Sequence, residues 1–257
     1  MSIVGGWVVN DLLFIAGDTR TTRPDSRGRF GTRYDFTQKI QELSGNIIIG
    51  LAGDFNASRL FKRLSEKLNK PNVAGYLPST LNHFLIIKEI EKFIQNNWSS
   101  EWEETDFLIG IHDIRSKKNV LYKIMGADLK AYQMEVNELH LVGLSASQRN
   151  EIKREFEKII KKNNPNTMSD YDNCLIQALK SIEDETISKN INCLALAPDG
   201  SYAINSGIGY IEEDGNVNWV VDSLHDKEWT RKVNGTLIGK NTKDAGEVNL
   251  ELGRKLK

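Results

Sequence analysis

Four residues near the start of the chain carry the chemistry to cut an amide: Ser2, Asp18, Lys39 and Gly53. A serine hydroxyl is a poor nucleophile until a base takes its proton. Once Met1 is removed, the α-amine of Ser2 can be that base, with an ordinary pKa of about 7.7–8.0. A nearby cation disfavours the protonated amine, and a carboxylate holds such a cation in place. Lys39 and Asp18 have those types and fall at strand ends. Gly53 closes the apolar segment GLAGD, where a backbone N–H could face an oxyanion. Each feature alone has an ordinary explanation. Serine is common after the initiator methionine, Asp-x-Arg forms local salt bridges or turns, a strand lysine snorkels to water, and GxxG is a turn. Only their joint spacing makes an argument.

The elements that must position these residues are legible in the pattern. SIVGGWVV and LLFIA read as two apolar strands joined at Asn10-Asp11, and KIQEL and NIIIGLA as a second hairpin turned at Ser44-Gly45-Asn46. Nearly continuous apolar runs predict burial on both faces. Thr22 to Tyr34, with Pro24, Gly28 and Gly31, reads as a loop. Apolar residues at three- and four-residue spacing predict helices over Asn56–Lys70 and Pro78–Asn97. The strand-like segments DFLIGIHD, NVLYKIM, LKAYQME and ELHLVGL follow. A third helix capped by Ser145 or Ser147 runs to about Lys162, and a fourth carries Leu175, Ile176, Leu179 and Ile182. INCLALA and SYAINSGIGYI close the pattern; the last forty residues are polar and weakly patterned. Strands and helices grouped this way are not the alternation of a doubly wound parallel sheet. The expected fold is α+β: a four-layer αββα sandwich of two antiparallel sheets, each flanked by a helix pair. Residues 1–241 are expected to form a single domain, and 242–257 a polar tail.

The bulk properties exclude several classes. A net charge of −1 over 257 residues gives no bulk argument for nucleic acid or an anionic membrane. The longest apolar runs are strand-sized, and no signal-peptide pattern opens the chain. Cys174 and Cys193 are the only cysteines and read as buried free thiols, which points to a reducing, cytoplasmic compartment. Scattered His83, His112, His140 and His225 offer no metal-ligand spacing. No metal or cofactor is expected, and no G-x-x-x-x-G-K-[ST] occurs, so any ATPase would be a separate chain.

A hydroxyl residue followed sixteen positions later by the Asp of GDTR, then KI, then GLAGD, resembles the proteasome β-subunit family and its bacterial relatives, the HslV-type and Anbu-type peptidases. The resemblance implies an Ntn-hydrolase-like fold with Ser2 as nucleophile, Asp18 and Lys39 as its charge-tuning pair, and Gly53 as oxyanion donor. It is specific in the first quarter of the chain and architectural up to about Tyr210. Departures are visible. The interval from Asp18 to Lys39 is longer than the family's, the arginine-rich loop absorbing the difference. Where the family has Gly-Ser-Gly before the third helix, this chain has VGLSAS, so Leu144 takes the serine's place and Ser145 follows it. The family's Asp-x-x-Ser falls best on Glu185 to Ser188, with Asp184 a rival for the acid. The implied function is a peptidase with peptide or unfolded-protein substrates, assembled as a homo-oligomeric ring and served by a separate ATPase. The alternatives are a non-catalytic ring subunit of the same fold and a small-amide amidohydrolase.

Three further features are weighed as ordinary or functional. Arg20, Arg23, Arg27, Arg29 and Arg33 form either a solvated loop or a patch favouring acidic partners. His112 and His140 in strand patterns read as satisfied or edge histidines rather than catalytic ones. Trp98 and Trp102 cover a helix end or form a subunit contact.

Overall fold

Two left-handed residues shape the first hairpin. Asn10 (φ 49°) and Asp11 (φ 59°) adopt the backbone that a two-residue type I′ turn demands. They join β1 (Val4–Val9) to β2 (Leu12–Asp18) in the register Val4↔Gly17 to Val9↔Leu12. This computed structural model describes the backbone of residues 2–24, 30–34, 39–184, 187–188, 191–199, 202–211, 217–225, 228–233 and 236–241. It describes the side chains of 2–20, 39–54, 56–168, 170–184, 187–188 and 191–199. The segment 242–257 lies outside those residues.

Thr21–Pro24 (β3) and Phe30–Tyr34 (β4) pair as a separate two-stranded sheet, so the stretch read as a loop is in part a ribbon. Its Thr, Phe and Tyr residues favour strands, and a two-stranded ribbon has only edges, where Pro and Gly are tolerated. The second hairpin is as expected, with β5 (Ile40–Ser44) paired to β6 (Ile47–Ala52). The predicted helices appear as α1 (Arg59–Leu68), α2 (His83–Asn97), α3 (Ala146–Asn163) and α4 (Met168–Lys180). The first two start later than their apolar spacing implies. Each is preceded by a 3-10 turn, Phe55–Ser58 and Pro78–Thr80, and Asn82 caps α2 by accepting the Leu85 N–H. Ser145 caps α3 in a reciprocal box with Gln148.

Between the helix pairs run β7 (Asp106–Asp113), β8 (Lys118–Met125), β9 (Ala131–Gln133) and β10 (Leu139–Val142), and after them β11 (Ile191–Leu196) and β12 (Tyr202–Ile211). The weakly patterned end of the chain is also stranded, as β13 (Val217–His225), β14 (Glu228–Val233) and β15 (Thr236–Asn241). Charged residues interrupt the apolar alternation there, which is why the sequence pattern misses it.

All pairings are antiparallel. One sheet has the order β10-β1-β2-β11-β12-β13-β14-β15 and the other β5-β6-β7-β8-β9. Alternate residues of each strand enter different apolar layers, as a pleated strand requires. Trp7, Phe14, Ala16 and Cys193 face α3 and α4. Ile47, Ile49, Phe107 and Ile109 face α1 and α2. Val4, Leu13, Ile15, Ile48, Leu108 and Leu121 meet between the sheets. The result is the four-layer αββα sandwich. Gly6, Gly50 and Gly110 also face the inner layer, and a Cβ on Gly110 would lie 2.4 Å from Leu13 Cδ2. Glycines there let the two sheets approach closely.

Among the described residues, no helix is long and apolar enough to cross a membrane.

Candidate active site

The antiparallel pairing of β1 and β2 brings the start of one strand beside the end of the other. Asp18 N donates to Ile3 O at 3.1 Å, and Ile3 N donates to Asp18 Oδ1 at 2.9 Å. The residue next to Ser2 is therefore held by both the backbone and the side chain of Asp18. Lys39 Nζ reaches the same oxygen, Oδ1, at 2.6 Å. The other oxygen, Oδ2, accepts from Arg20 N at 2.9 Å and Ser188 N at 3.3 Å. Asp18 is 0% exposed and Lys39 2%. Both carboxylate oxygens thus accept from N–H donors in a setting closed to water.

Lys39 belongs to the other sheet. It precedes β5, and its carbonyl accepts Leu51 N at 2.9 Å, which locks it to the end of β6. Two residues past Leu51 comes Gly53, with φ at 129°, a backbone that side-chain-bearing residues rarely adopt. Gly53 is exposed, and its N–H makes no hydrogen bond to another described residue. Gly143 (φ 82°) closes the other side, where a Cβ would fall 2.2 Å from Ser2 O. Ser2 itself is 7% exposed. The strand ends thus gather Ser2, Asp18, Lys39 and Gly53 at one edge of the sandwich.

Ser188 is brought into the same cluster. Besides its N–H on Asp18, its Oγ accepts from Thr19 Oγ1 at 3.3 Å. Glu185 lies outside the described residues. Its rival Asp184 accepts from Gln148 Nε2 at 2.9 Å, which ties it to the first turn of α3. Leu144 is buried in the apolar layer under α3 and α4, and its carbonyl accepts from Arg149. Ser145 is exposed and engaged in capping, with Oγ bonded to Ser147 and Gln148. Positions 144 and 145 thus hold a buried leucine and a capping serine.

Two neighbours escaped the sequence reading. Gly143 is visible only as the first letter of GLS. Thr105, fully buried, accepts Asp54 N on Oγ1 at 2.9 Å, and no local pattern marks it. Arg27 and Arg29 lie outside the described residues, and the side chains of Arg23 and Arg33 likewise. His112 is buried at the opposite edge, 3.1 Å from Asn119 Oδ1, and His140 Nε2 lies 2.9 Å from Glu135 O. Trp98 stacks edge-on with Trp102 (5.6 Å) and with Phe107 (6.0 Å), so the tryptophan pair covers the core beside α2. Cys174 and Cys193 are buried free thiols; burial and neighbouring Asp172 push the Cys193 thiol well up, so it is unreactive. Among the described residues no cluster of His, Cys, Asp or Glu could hold a metal ion.

No family model matches the chain, and no curated protein does. Among solved structures, a Gly-1 mutant of Anbu from Hyphomicrobium sp. strain MC1 is similar, with a TM-score of 0.58 and 12% identity, over 79% of this chain and 86% of that one. At that identity the likeness is one of fold. In fold the sandwich is Ntn-hydrolase-like.

Proposed function

We propose that the chain is an N-terminal-nucleophile hydrolase of peptide bonds, with Ser2 as its nucleophile after removal of Met1. The observation that carries this reading is the single Asp18 oxygen that holds both the Ile3 N–H and the Lys39 ammonium. It links the Lys39 ammonium, through one oxygen, to the backbone of the residue after Ser2, and a cation near a free α-amine disfavours the amine's protonated form. In the reaction Ser2 Oγ attacks the scissile carbonyl while the α-amine takes its proton. The Gly53 N–H stabilises the oxyanion, and the amine returns the proton to the leaving nitrogen. Water then attacks the acyl ester by the same route and frees Ser2. Ser188, on Asp18 and Thr19, steadies the carboxylate, and Glu185 is the acid we assign beside it. Cytoplasmic peptide or unfolded-protein substrates, a homo-oligomeric ring and a separate ATPase complete the proposal.

Intact mass of protein purified from cells tests the first step: Met1 is absent in active material, and a hydroxyl-directed β-lactone adds to Ser2. Ser2→Ala should lose both turnover and adduct while folding normally. Fully retained Met1 in turning-over protein would overturn the mechanism. A second reading, a non-catalytic subunit of the same fold, draws on Leu144, which buries a leucine where related peptidases carry a supporting serine. It predicts no adduct under conditions that label related enzymes. Peptide against small-amide substrates separates peptidase from amidohydrolase.

A further inference from the structure

Thr105 stands outside every motif, yet it touches the one backbone turn the proposed chemistry depends on. A Cβ placed on Gly53 would lie 2.6 Å from Thr105 Cα and 2.7 Å from both Thr105 Oγ1 and Glu104 O. Gly53 therefore lies flat against Thr105. The next N–H along, that of Asp54, donates to Thr105 Oγ1 at 2.9 Å. Asp54 is fixed on its far side as well: its carbonyl accepts Ala57 N at 3.1 Å and its Oδ1 accepts Asn56 N at 2.8 Å. Upstream, Ala52 is held in the ladder opposite Asp106. Between these anchors the torsions of Gly53 are the soft ones, and glycine is the residue with most freedom to use them. A rotation there re-aims the Gly53 N–H.

Thr105 is itself well braced. It is 0% exposed, its N–H donates to Trp102 O at 2.8 Å, and a Cβ on Gly126 would sit 2.5 Å from its carbonyl oxygen. The turn from Ser99 to Thr105 rests on Trp98, Trp102 and Phe107. An aromatic cluster far from the chemistry thereby supports one hydroxyl at its edge.

We propose that Thr105 is a positioning residue for the oxyanion, its hydroxyl holding the Gly53–Asp54 turn so that the Gly53 N–H faces the carbonyl attacked by Ser2. This rests on the reading of Gly53 as the oxyanion donor. Losing an oxyanion donor outright costs about 10²–10³ in kcat. A donor that is present but misaimed for much of the time costs less, about 10–100-fold.

The test compares Thr105→Val, which keeps the shape and removes the acceptor, with Thr105→Ser, which keeps the hydroxyl. Expected for Thr105→Val is a fall in kcat of about 10–100-fold with KM within a few-fold, and near-wild-type kcat for Thr105→Ser. A peptide aldehyde, which forms a tetrahedral adduct on Ser2, should weaken by the same factor. The matching peptide alcohol, which binds without an adduct, should not. Thr105→Ala replaces the valine variant if circular dichroism shows the latter misfolded. Equal loss for aldehyde and alcohol, or a Thr105→Val enzyme as fast as wild type, overturns the Thr105 role and leaves Ser2 standing. A folded wild type that binds no aldehyde and cuts no peptide overturns the Ser2 reading itself, and this proposal with it.

Discussion

Each edge of the sandwich is pinned by a buried polar bridge between the two sheets, and the two bridges differ in charge. At the Ser2 edge the bridge is ionic: Asp18 on β2 to Lys39 ahead of β5. At the opposite edge it is neutral. Asn119 on β8 donates through Nδ2 to Leu196 O at 2.9 Å and to Asp11 O in the β1–β2 turn, while its Oδ1 accepts from His112 Nδ1. Both join the same two sheets, so holding them together does not require charge. A buried ion pair is a poor stabiliser, because the desolvation of two ions offsets their attraction. The amide network does the same mechanical work without that cost. The charged edge is thus explained by something other than stability, and activation of Ser2 is the role we assign to it.

Breaking the ionic bridge should have the largest effect. Lys39→Met leaves Asp18 buried without its cation, which costs about 3–5 kcal/mol. Turnover measured per folded molecule should fall by about 10²–10⁴, the usual scale for losing a group that governs proton transfer. Adding Asp18→Asn should recover part of the stability and none of the turnover. The recovery is partial because the carboxylate also serves the N–H groups of Ile3, Arg20 and Ser188. Urea melts with activity normalised to folded fraction measure both. Full activity in Lys39→Met would make the two bridges equivalent and remove the chemical argument for the charged one.

The neutral bridge gives the converse experiment. Asn119→Leu strips the Asp11 and Leu196 carbonyls of a donor and His112 of its acceptor, at about 1–3 kcal/mol for a buried group left unsatisfied. The urea midpoint should drop with an unchanged slope, and turnover per folded molecule should stay at the wild-type level. A large loss of turnover would show that the edges are mechanically coupled and that the contrast between them is too simple.

How much of this was legible in the sequence divides along the same line. The ionic edge announces itself, because Asp18 and Gly53 end strand-sized apolar runs and Lys39 opens another strand, at spacings that a hairpin converts directly into proximity. Ser188 was found only through a resemblance, since it reaches Asp18 from far along the chain. Thr105 and Asn119 were invisible. Each is an ordinary polar residue at an edge of a strand, and its partner lies beyond the reach of local periodicity: Asp54 for one, Asp11 and Leu196 for the other. The strands β3, β4 and β13–β15 were missed for a related reason. Pairing with a neighbour makes them strands, while their own alternation is broken by Pro, Gly and charge.

The smallest expected effect is a pH dependence at the neutral edge. Burial pushes the His83 imidazole down from its ordinary pKa, the charge of Asp113 opposes that, and burial wins. Tyr122, whose phenol is pushed up to about 12 by burial and by Asp113, stays protonated and lies with its hydroxyl oxygen 2.7 Å from His83 Nδ1, a hydrogen bond that the neutral ring can make. A histidine with a lowered folded pKa contributes stability that is intact above the unfolded value of about 6.5 and is lost as pH falls through it towards the folded value. Asp113 adds nothing in that window. Burial pushes its carboxyl up, but the N–H groups of Arg115, His83 and Ser116 outweigh it and hold the carboxyl below the ordinary range. Its contribution is present above about 3.9 and fades only below that. The wild-type urea midpoint should therefore decline modestly from pH 7.5 to 5.5, with His83→Gln declining less. An equal decline in both would assign the titration elsewhere. A decline confined to the wild type locates it at the edge that carries no ion pair between the sheets among the described residues, with turnover at pH 7.5 unaltered by His83→Gln.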